Sequence, residues 1–177
     1  LAHQATQFLG YGDQALLYDT HVSLPHAAAI RTALEAMGIH RFTVVLSHWH
    51  MDHVAGTAVF ADSPVLACQR TLDHLTRCKA AIEDASYHGA PAINPLILPT
   101  QIFSGQMTLM LGQTEVRLIE ANIHSDDACV LWLPAQRLLL AGIALMALGS
   151  LALLQGTLAA IIGGLLISSF GFFLAHA

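Results

Sequence analysis

Along residues 1–137, apolar positions recur with the periods that are typical of short strands and helices. Residues 14–20 (QALLYDT) and 42–46 (FTVVL) contain apolar runs of strand length, which are typical of strands buried on both faces. Residues 26–38 lie between them, are rich in helix formers and end at Gly38, a residue that favours a helix stop. This strand–helix–strand order predicts a βαβ unit with parallel strands.

The pattern after residue 52 predicts two further helices and a second half made mainly of strands. Residues 53–60 are expected to form a short helix capped by Asp52, and residues 70–86 a helix with a polar face. Three prolines interrupt residues 87–100 and predict a loop there. Strands are expected near residues 64–68, 107–111, 114–120, 129–133 and 137–141. The whole arrangement predicts an α/β fold.

The last forty residues have a different composition from the rest of the chain. Residues 138–177 contain no Asp, Glu, Lys or Arg, and their apolar stretch exceeds the 18 or so residues typical of a membrane span. A polar break at residues 155–157 predicts a hydrophobic helical hairpin. We therefore expect a domain at 1–142 followed by a transmembrane segment at 143–177. The soluble alternative is a buried core helix, but forty uncharged residues are hard to bury in so small a domain.

Charge and cysteine content exclude several other classes of protein. The chain is 55% hydrophobic and 11% charged, with a net charge of −5, so it offers no basic stripe for nucleic acid. Its three cysteines form no C-x-x-C motif, which argues against a disulfide framework or a cysteine-rich zinc site. No signal peptide is visible. We expect a cytoplasmic domain with the apolar tail as its membrane anchor.

The strongest chemical signal is SHWHMDH, residues 47–53, directly after an apolar strand. Residues i and i+2 of an extended segment point to the same side, so His48 and His50 can converge on one ion. Asp52 and His53 follow in the turn and can approach a second ion. Imidazole and carboxylate ligands suit zinc, and also iron or manganese. The carboxyl end of a strand is a common position for α/β functional sites.

A further ligand must come from another part of the chain. His124 is the best candidate, because it lies in a loop between two predicted strands. Asp126 and Asp127 follow it and are interpreted as turn formers, or alternatively as partners of the ligands. The other histidines are expected at the surface or at helix ends, and His21 and His88 lie in loops that could face the cluster.

These features together resemble the metallo-β-lactamase fold metallohydrolases. The shared features are the H-x-H-x-D-H motif, the upstream Asp19-Thr20 turn and the VLWLP…RLLLAG segment after the His124 loop. They cover about residues 14–142. The resemblance implies an αββα sandwich, incomplete in this chain, with the metal site along one sheet edge.

The resemblance also implies roles for the site residues. His48, His50 and His124 would hold a first metal and Asp52 and His53 would belong to a second, while Asp19 would support the metal-binding loops. The implied reaction is hydrolysis of a small-molecule substrate by a metal-activated water, which the catalytic Asp52 would ligate and orient. Residues 87–100 would form a wall of the substrate site.

The chain departs from the family pattern at its second metal site. The family's bridging aspartate follows the L-L-x-A-G strand, where this sequence has Ile143, and His176 does not resemble the family's last ligand. Only Asp52 and His53 remain for a second ion, too few for a closed site. The prediction is a hydrolase with one or two zinc ions and impaired chemistry. The alternative is a non-catalytic, membrane-associated metal-binding remnant or the product of a chimeric reading frame. The sequence does not select the substrate or the oligomeric state.

Overall fold

The computed structural model describes residues 6–141, which form two β-sheets and the helices on one side of them. The strands are β1 Gln7–Tyr11, β2 Gln14–Tyr18, β3 Arg41–Val45, β4 Val65–Cys68, β5 Gln101–Phe103, β6 Gln106–Leu111, β7 Thr114–Glu120, β8 Cys129–Leu133 and β9 Leu138–Ala141. The helices are α1 Leu24–Ala36, α2 Met51–Val54 and α3 Gln69–Glu83, with a 3-10 turn at Thr57–Phe60.

The C-terminal hairpin predicted for residues 143–177 lies outside the described residues, as do Ile143 and His176. Within the described range, no helix combines the length and apolar character that a membrane crossing requires. The proposed division of the chain at residue 142 therefore stays a prediction.

The first sheet has the order β1-β2-β3-β4-β5, and the second has the order β6-β7-β8-β9. Strands β2 to β5 are parallel to one another, whereas β1 pairs antiparallel with β2 and the whole second sheet is antiparallel. The β2–α1–β3 segment is the βαβ unit that the sequence predicts. Strands β1 and β5 are additional to the predicted ones.

Alternating side chains of β2 explain how the layers pack. Ala15 and Leu17 join the core beneath helices α1 and α3, whereas Leu16 and Tyr18 join the core between the two sheets. Burying a large apolar side chain contributes about 1.5–3 kcal/mol to the free energy of folding. Burial of both faces of β2, each in its own core, therefore stabilises this strand between the helices and the second sheet. The described residues supply one helical layer and two sheet layers. The second helical layer of the predicted αββα sandwich is not among them.

The carboxyl ends of β2 and β3 lie side by side and are joined to the second sheet. The backbone N–H of Asp19 donates to the carbonyl of Val45 at 2.8 Å. The N–H of Cys129, the first residue of β8, donates to the carbonyl of Ser47 at 2.8 Å, and the hydroxyl of Tyr18 donates to the Cys129 carbonyl at 2.6 Å. The loops that follow these strands are therefore held at one edge where the two sheets meet.

Gly56 permits the close approach of the segment after α2 to the loop after β2. A Cβ at this position would lie 2.1 Å from the carbonyl oxygen of Thr20 and 2.4 Å from the Cβ of Ala27. The carbonyl of His53 accepts hydrogen bonds from both the backbone N–H and the hydroxyl of Thr20, at 2.8 and 2.9 Å. Only glycine fits this contact without displacing the backbone.

Candidate metal centre

Three histidines from two loops converge at this sheet edge. The candidate ligand nitrogens of His48, His50 and His124 all lie within 4.8 Å of one another. Nδ1 of His50 is 3.2 Å from Nε2 of His124. Two nitrogens bound to one tetrahedral zinc at its usual bond length are roughly 3.3 Å apart, so this spacing suits a shared ion.

The hydrogen bonds of His48 leave one nitrogen available for a metal. The Ser47 hydroxyl lies 2.7 Å from a carboxylate oxygen of Asp19 and 2.8 Å from Nδ1 of His48. A carboxylate only accepts, so the hydroxyl donates to Asp19 and accepts Nδ1–H of His48. Nε2 of His48 is buried and has no hydrogen-bond partner in the described part of the chain. A buried polar atom of this kind needs an explanation, and a bound cation would supply it.

Asp19 forms the support beneath these ligands. One of its oxygens accepts the backbone N–H of Ser47 at 2.7 Å, and the other accepts both the Ser47 hydroxyl and Nδ1–H of His53, each at 2.7 Å. Its backbone adopts the left-handed conformation, with φ of +68°, which is uncommon outside glycine. The carboxylate thereby fixes the strand-to-loop corner that carries His48.

Asp52 and His53 lie beside the three histidines but do not complete the same ligand group. The His53 ring centroid is 4.0 Å from that of His48, and its Nε2 is 3.7 Å from a carboxylate oxygen of Asp52. The side chain of Asp52 is 39% exposed. The prediction that Asp52 caps the helix is wrong: α2 begins at Met51, His50 occupies the cap position, and no side chain caps the helix.

Burial and neighbouring charges set the protonation of the ligands. Burial, and secondarily the adjacent His53, lowers the pKa of His48 to about 2. Burial also lowers the pKa of His50, helped by His124. Both rings are therefore neutral at physiological pH, which is the form that binds metals. For His53, burial lowers the pKa, but the charge and hydrogen bond of Asp19 outweigh it and the pKa is raised.

Asp127 joins the two loops that carry the candidate ligands to α3. Its side chain is buried and one oxygen accepts the backbone N–H of Trp49 and the hydroxyl of Thr71, both at 2.8 Å. The other oxygen accepts the Ser125 hydroxyl. Trp49 lies between His48 and His50, so Asp127 connects their loop directly to the loop of His124. The sequence places two aspartates after His124, but their burial distinguishes them.

A second group of possible ligands contains His74, Asp126 and Asp127. The ring of His74 stacks on Trp49 with 5.2 Å between centroids. Its Nδ1 accepts from Arg77 at 2.8 Å and its Nε2 bonds Asp126 at 2.9 Å. Because both nitrogens already have protein partners, this group supports Trp49 rather than offering a vacant ligand. His21 and His88 belong to neither group.

Comparison with known proteins supports the geometry. The family model described as "Metallo-beta-lactamase superfamily" matches residues 6–149. A hydroxyacylglutathione hydrolase of Cereibacter sphaeroides is 32% identical over 136 residues, covering 77% of this chain and 46% of that protein. A lactamase-like protein of Pestalotiopsis fici is 30% identical over 123 residues, covering 69% and 33%. The chain thus spans less than half the length of these curated relatives.

Solved structures share the fold at low sequence identity. A metallo-β-lactamase from Pontibacter korlensis superimposes with a TM-score of 0.61 at 18% identity, covering 77% of this chain and 58% of its own. One from Legionella gormanii also gives 0.61, at 11% identity, covering 73% and 51%. At these identities the likeness concerns the fold alone.

Proposed function

The chain belongs to the metallo-β-lactamase superfamily, and on that premise we propose that it is a zinc-dependent hydrolase with one ion at His48, His50 and His124. The observation that carries the proposal is the buried Nε2 of His48, which has no partner among the described residues and belongs to a group of three close imidazole nitrogens. Three imidazole nitrogens with an open fourth position are typical of catalytic zinc. The names of the curated relatives favour a thioester or a related acyl compound as substrate.

Asp52 and His53 have different roles beside that ion. When bound, zinc supplies Lewis acidity, which lowers the pKa of water and polarises a carbonyl. Asp52 is partly exposed beside the cluster, so its carboxylate can accept a proton from the attacking water and orient it. His53 stays tied to Asp19 and holds α2 in place, which keeps Asp52 at the rim of the site.

One ion rather than two is expected. Among the described residues, the other donors beside the three histidines are Asp52 and His53, and Nδ1 of His53 is bonded to Asp19. The next ligand in the family pattern falls at Ile143, whose hydrocarbon side chain cannot coordinate a metal. The donor set is rich in nitrogen, which favours zinc over manganese.

Zinc titration of the full chain tests this proposal. We expect about one tightly bound equivalent, measured by competition with a chromophoric chelator. His50→Ala and His124→Ala should each weaken binding by more than about a hundredfold, because loss of an outer partner alone costs 10–100-fold. His40→Ala, at an exposed histidine before β3, is the matched control.

Hydrolysis of a panel of thioesters, esters and lactams by the zinc-loaded chain completes the test. Hydrolysis that disappears in Asp52→Asn, with zinc still bound, supports the assigned role of Asp52. Unchanged zinc affinity in both histidine variants would contradict the ligand assignment. Tight zinc binding without hydrolysis of any substrate would favour the alternative, a non-catalytic metal-binding protein.

A further inference from the structure

A cavity of about 460 Å³ opens beside the candidate metal centre. Its walls come from residues 22–25 at the start of α1, from residues in and just after α2, and from residues 90–94 in the loop after α3. Asp52 lines this cavity and lies beside the three histidines, with its carboxylate 3.7 Å from Nε2 of His53. A molecule positioned for attack near Asp52 would therefore extend into the cavity.

Most of the lining of this cavity is apolar. Leu24, Met51 and Pro91 represent its three walls. Asp52 is its one ionisable residue, and no lysine or arginine is among the described residues that form it. The remaining polar members are Ser23, whose hydroxyl bonds Nδ1 of His26 at 2.7 Å, and Asn94.

This composition discriminates against anions. A carboxylate placed in the cavity would lose water, meet no lysine or arginine of the lining and face the negative charge of Asp52, all of which are unfavourable. Arg31 of α1 is not part of the lining and bonds Asp62 and Glu35 instead. An aliphatic group, in contrast, gains about fourfold in affinity for each methylene it buries.

We infer that this cavity receives an uncharged, apolar acyl group of the substrate, with the scissile carbonyl at the Asp52 end. The cavity volume lies within the 300–1,000 Å³ range of small-molecule sites and accommodates a chain of several carbons. The inference rests on the proposed hydrolase function for its orientation. It adds a substrate class: acyl compounds with aliphatic or aromatic acyl groups, in preference to dicarboxylic ones.

Binding of stable analogues tests the inference without requiring turnover. The probes are thioethers of N-acetylcysteamine, which cannot be hydrolysed, bearing either a pentyl or a carboxybutyl group of equal length. Calorimetry on the zinc-loaded full chain at pH 8 should show the pentyl compound binding at least about tenfold more tightly. Leu24→Arg, at a 39% exposed position on the cavity wall, should narrow or reverse that preference.

Two further variants keep the test decisive. Ala92→Arg adds the same charge from an exposed residue of the wall after α3 and replaces Leu24→Arg if that variant fails to fold. Met110→Arg adds it at a 62% exposed residue of β6, outside the cavity, and should leave the preference unchanged.

The outcomes separate this inference from the proposed function. Equal affinity for the two thioethers, or binding of neither, would overturn the inference even if zinc binding and hydrolysis are intact. Selective binding of the pentyl compound that responds to Leu24→Arg supports it, even in a chain that hydrolyses nothing. In that case the hydrolase proposal fails while the cavity assignment stands.

Discussion

Replacement of Asp127 by asparagine tests whether this buried carboxylate holds the metal-binding loops together. The substitution keeps the size of the side chain and removes its charge. The amide oxygen can still accept from the Trp49 backbone and the Thr71 hydroxyl, while its NH2 group faces the Ser125 hydroxyl, which can turn to accept. The geometry therefore survives, and the change isolates the contribution of the charge.

The hydrogen bonds of Asp127 set the size of the expected effect. A hydrogen bond to a charged group contributes about 1.5–3 kcal/mol, against about 0.5–1.5 kcal/mol for a neutral one. All three bonds, to Trp49, Thr71 and Ser125, become neutral, so the free energy of unfolding should fall by about 3 kcal/mol. Because Trp49 separates His48 from His50, zinc affinity should fall by about tenfold, the lower end for loss of an outer partner.

Urea unfolding and chelator competition, performed on both the Asp127→Asn and Asp126→Asn variants, measure these effects. Asp126 is the matched control, because its side chain is 58% exposed and bonds His74 instead of the ligand loops. The free energy of unfolding of the Asp126→Asn variant should fall by less than about 1 kcal/mol, and its zinc affinity should be unchanged. Equal losses in the two variants, or an unchanged zinc affinity in Asp127→Asn, would refute the clamping role.

Two further predictions concern packing and acid stability. Gly56→Ala should lower the free energy of unfolding by about 1–3 kcal/mol, because its Cβ would meet the Thr20 carbonyl at 2.1 Å. Gly10→Ala, whose Cβ has no neighbour nearer than 3.6 Å, should change little in the same urea titration, and equal losses would contradict the steric argument. Asp62 forms two hydrogen bonds with Arg31, at 2.8 and 2.9 Å, which lower its pKa. The stability from that pair is present above the unfolded carboxyl pKa and lost as the pH falls through the lower folded value. Asp62→Asn should therefore flatten acid unfolding below pH ~4, and an unchanged acid curve would count against the pair.

The hydrophobic pattern predicts those strands whose own apolar side chains favour burial. Strands β7 and β8 begin and end where the sequence predicts. The hydrophobic pattern does not predict strand β1, because the segment contains a glycine. Its large side chains Phe8 and Tyr11 remain 44% and 47% exposed in the structure. It forms because it pairs along its whole length with β2. Strand β5 has only three residues and is fixed by pairing with β4. Such strands depend on tertiary partners that a local pattern does not contain.

At the candidate site, too, a local motif predicts some residues, whereas contacts between residues distant in sequence cannot be predicted. The sequence predicts His48 and His50 on one side of an extended segment, whereas in the structure both lie in the loop after β3, and His124 stands out as a loop histidine. The connection between Trp49 and Asp127 spans 78 residues of sequence. It becomes visible only when β8 is placed beside the end of β3. Residue type alone cannot tell the exposed Asp126 from the buried Asp127.

Residues outside the H-x-H-x-D-H motif determine which nitrogen of the candidate ligand His48 carries hydrogen. The Ser47 hydroxyl has one proton and Asp19 can only accept, so the direction of the Ser47–Asp19 bond determines which nitrogen of His48 carries hydrogen. The lone pair of Nε2 is consequently left facing the other two histidines, and burial keeps the ring neutral. A chain with the same H-x-H spacing but a different residue at 19 or 47 would keep both imidazoles and lose this preference. Asp19 lies 28 residues before Ser47, and strand β2 brings the two together, because it pairs in parallel with β3. The register of β2 against β3 therefore determines the tautomer of His48, with hydrogen on Nδ1 and Nε2 free to bind a cation.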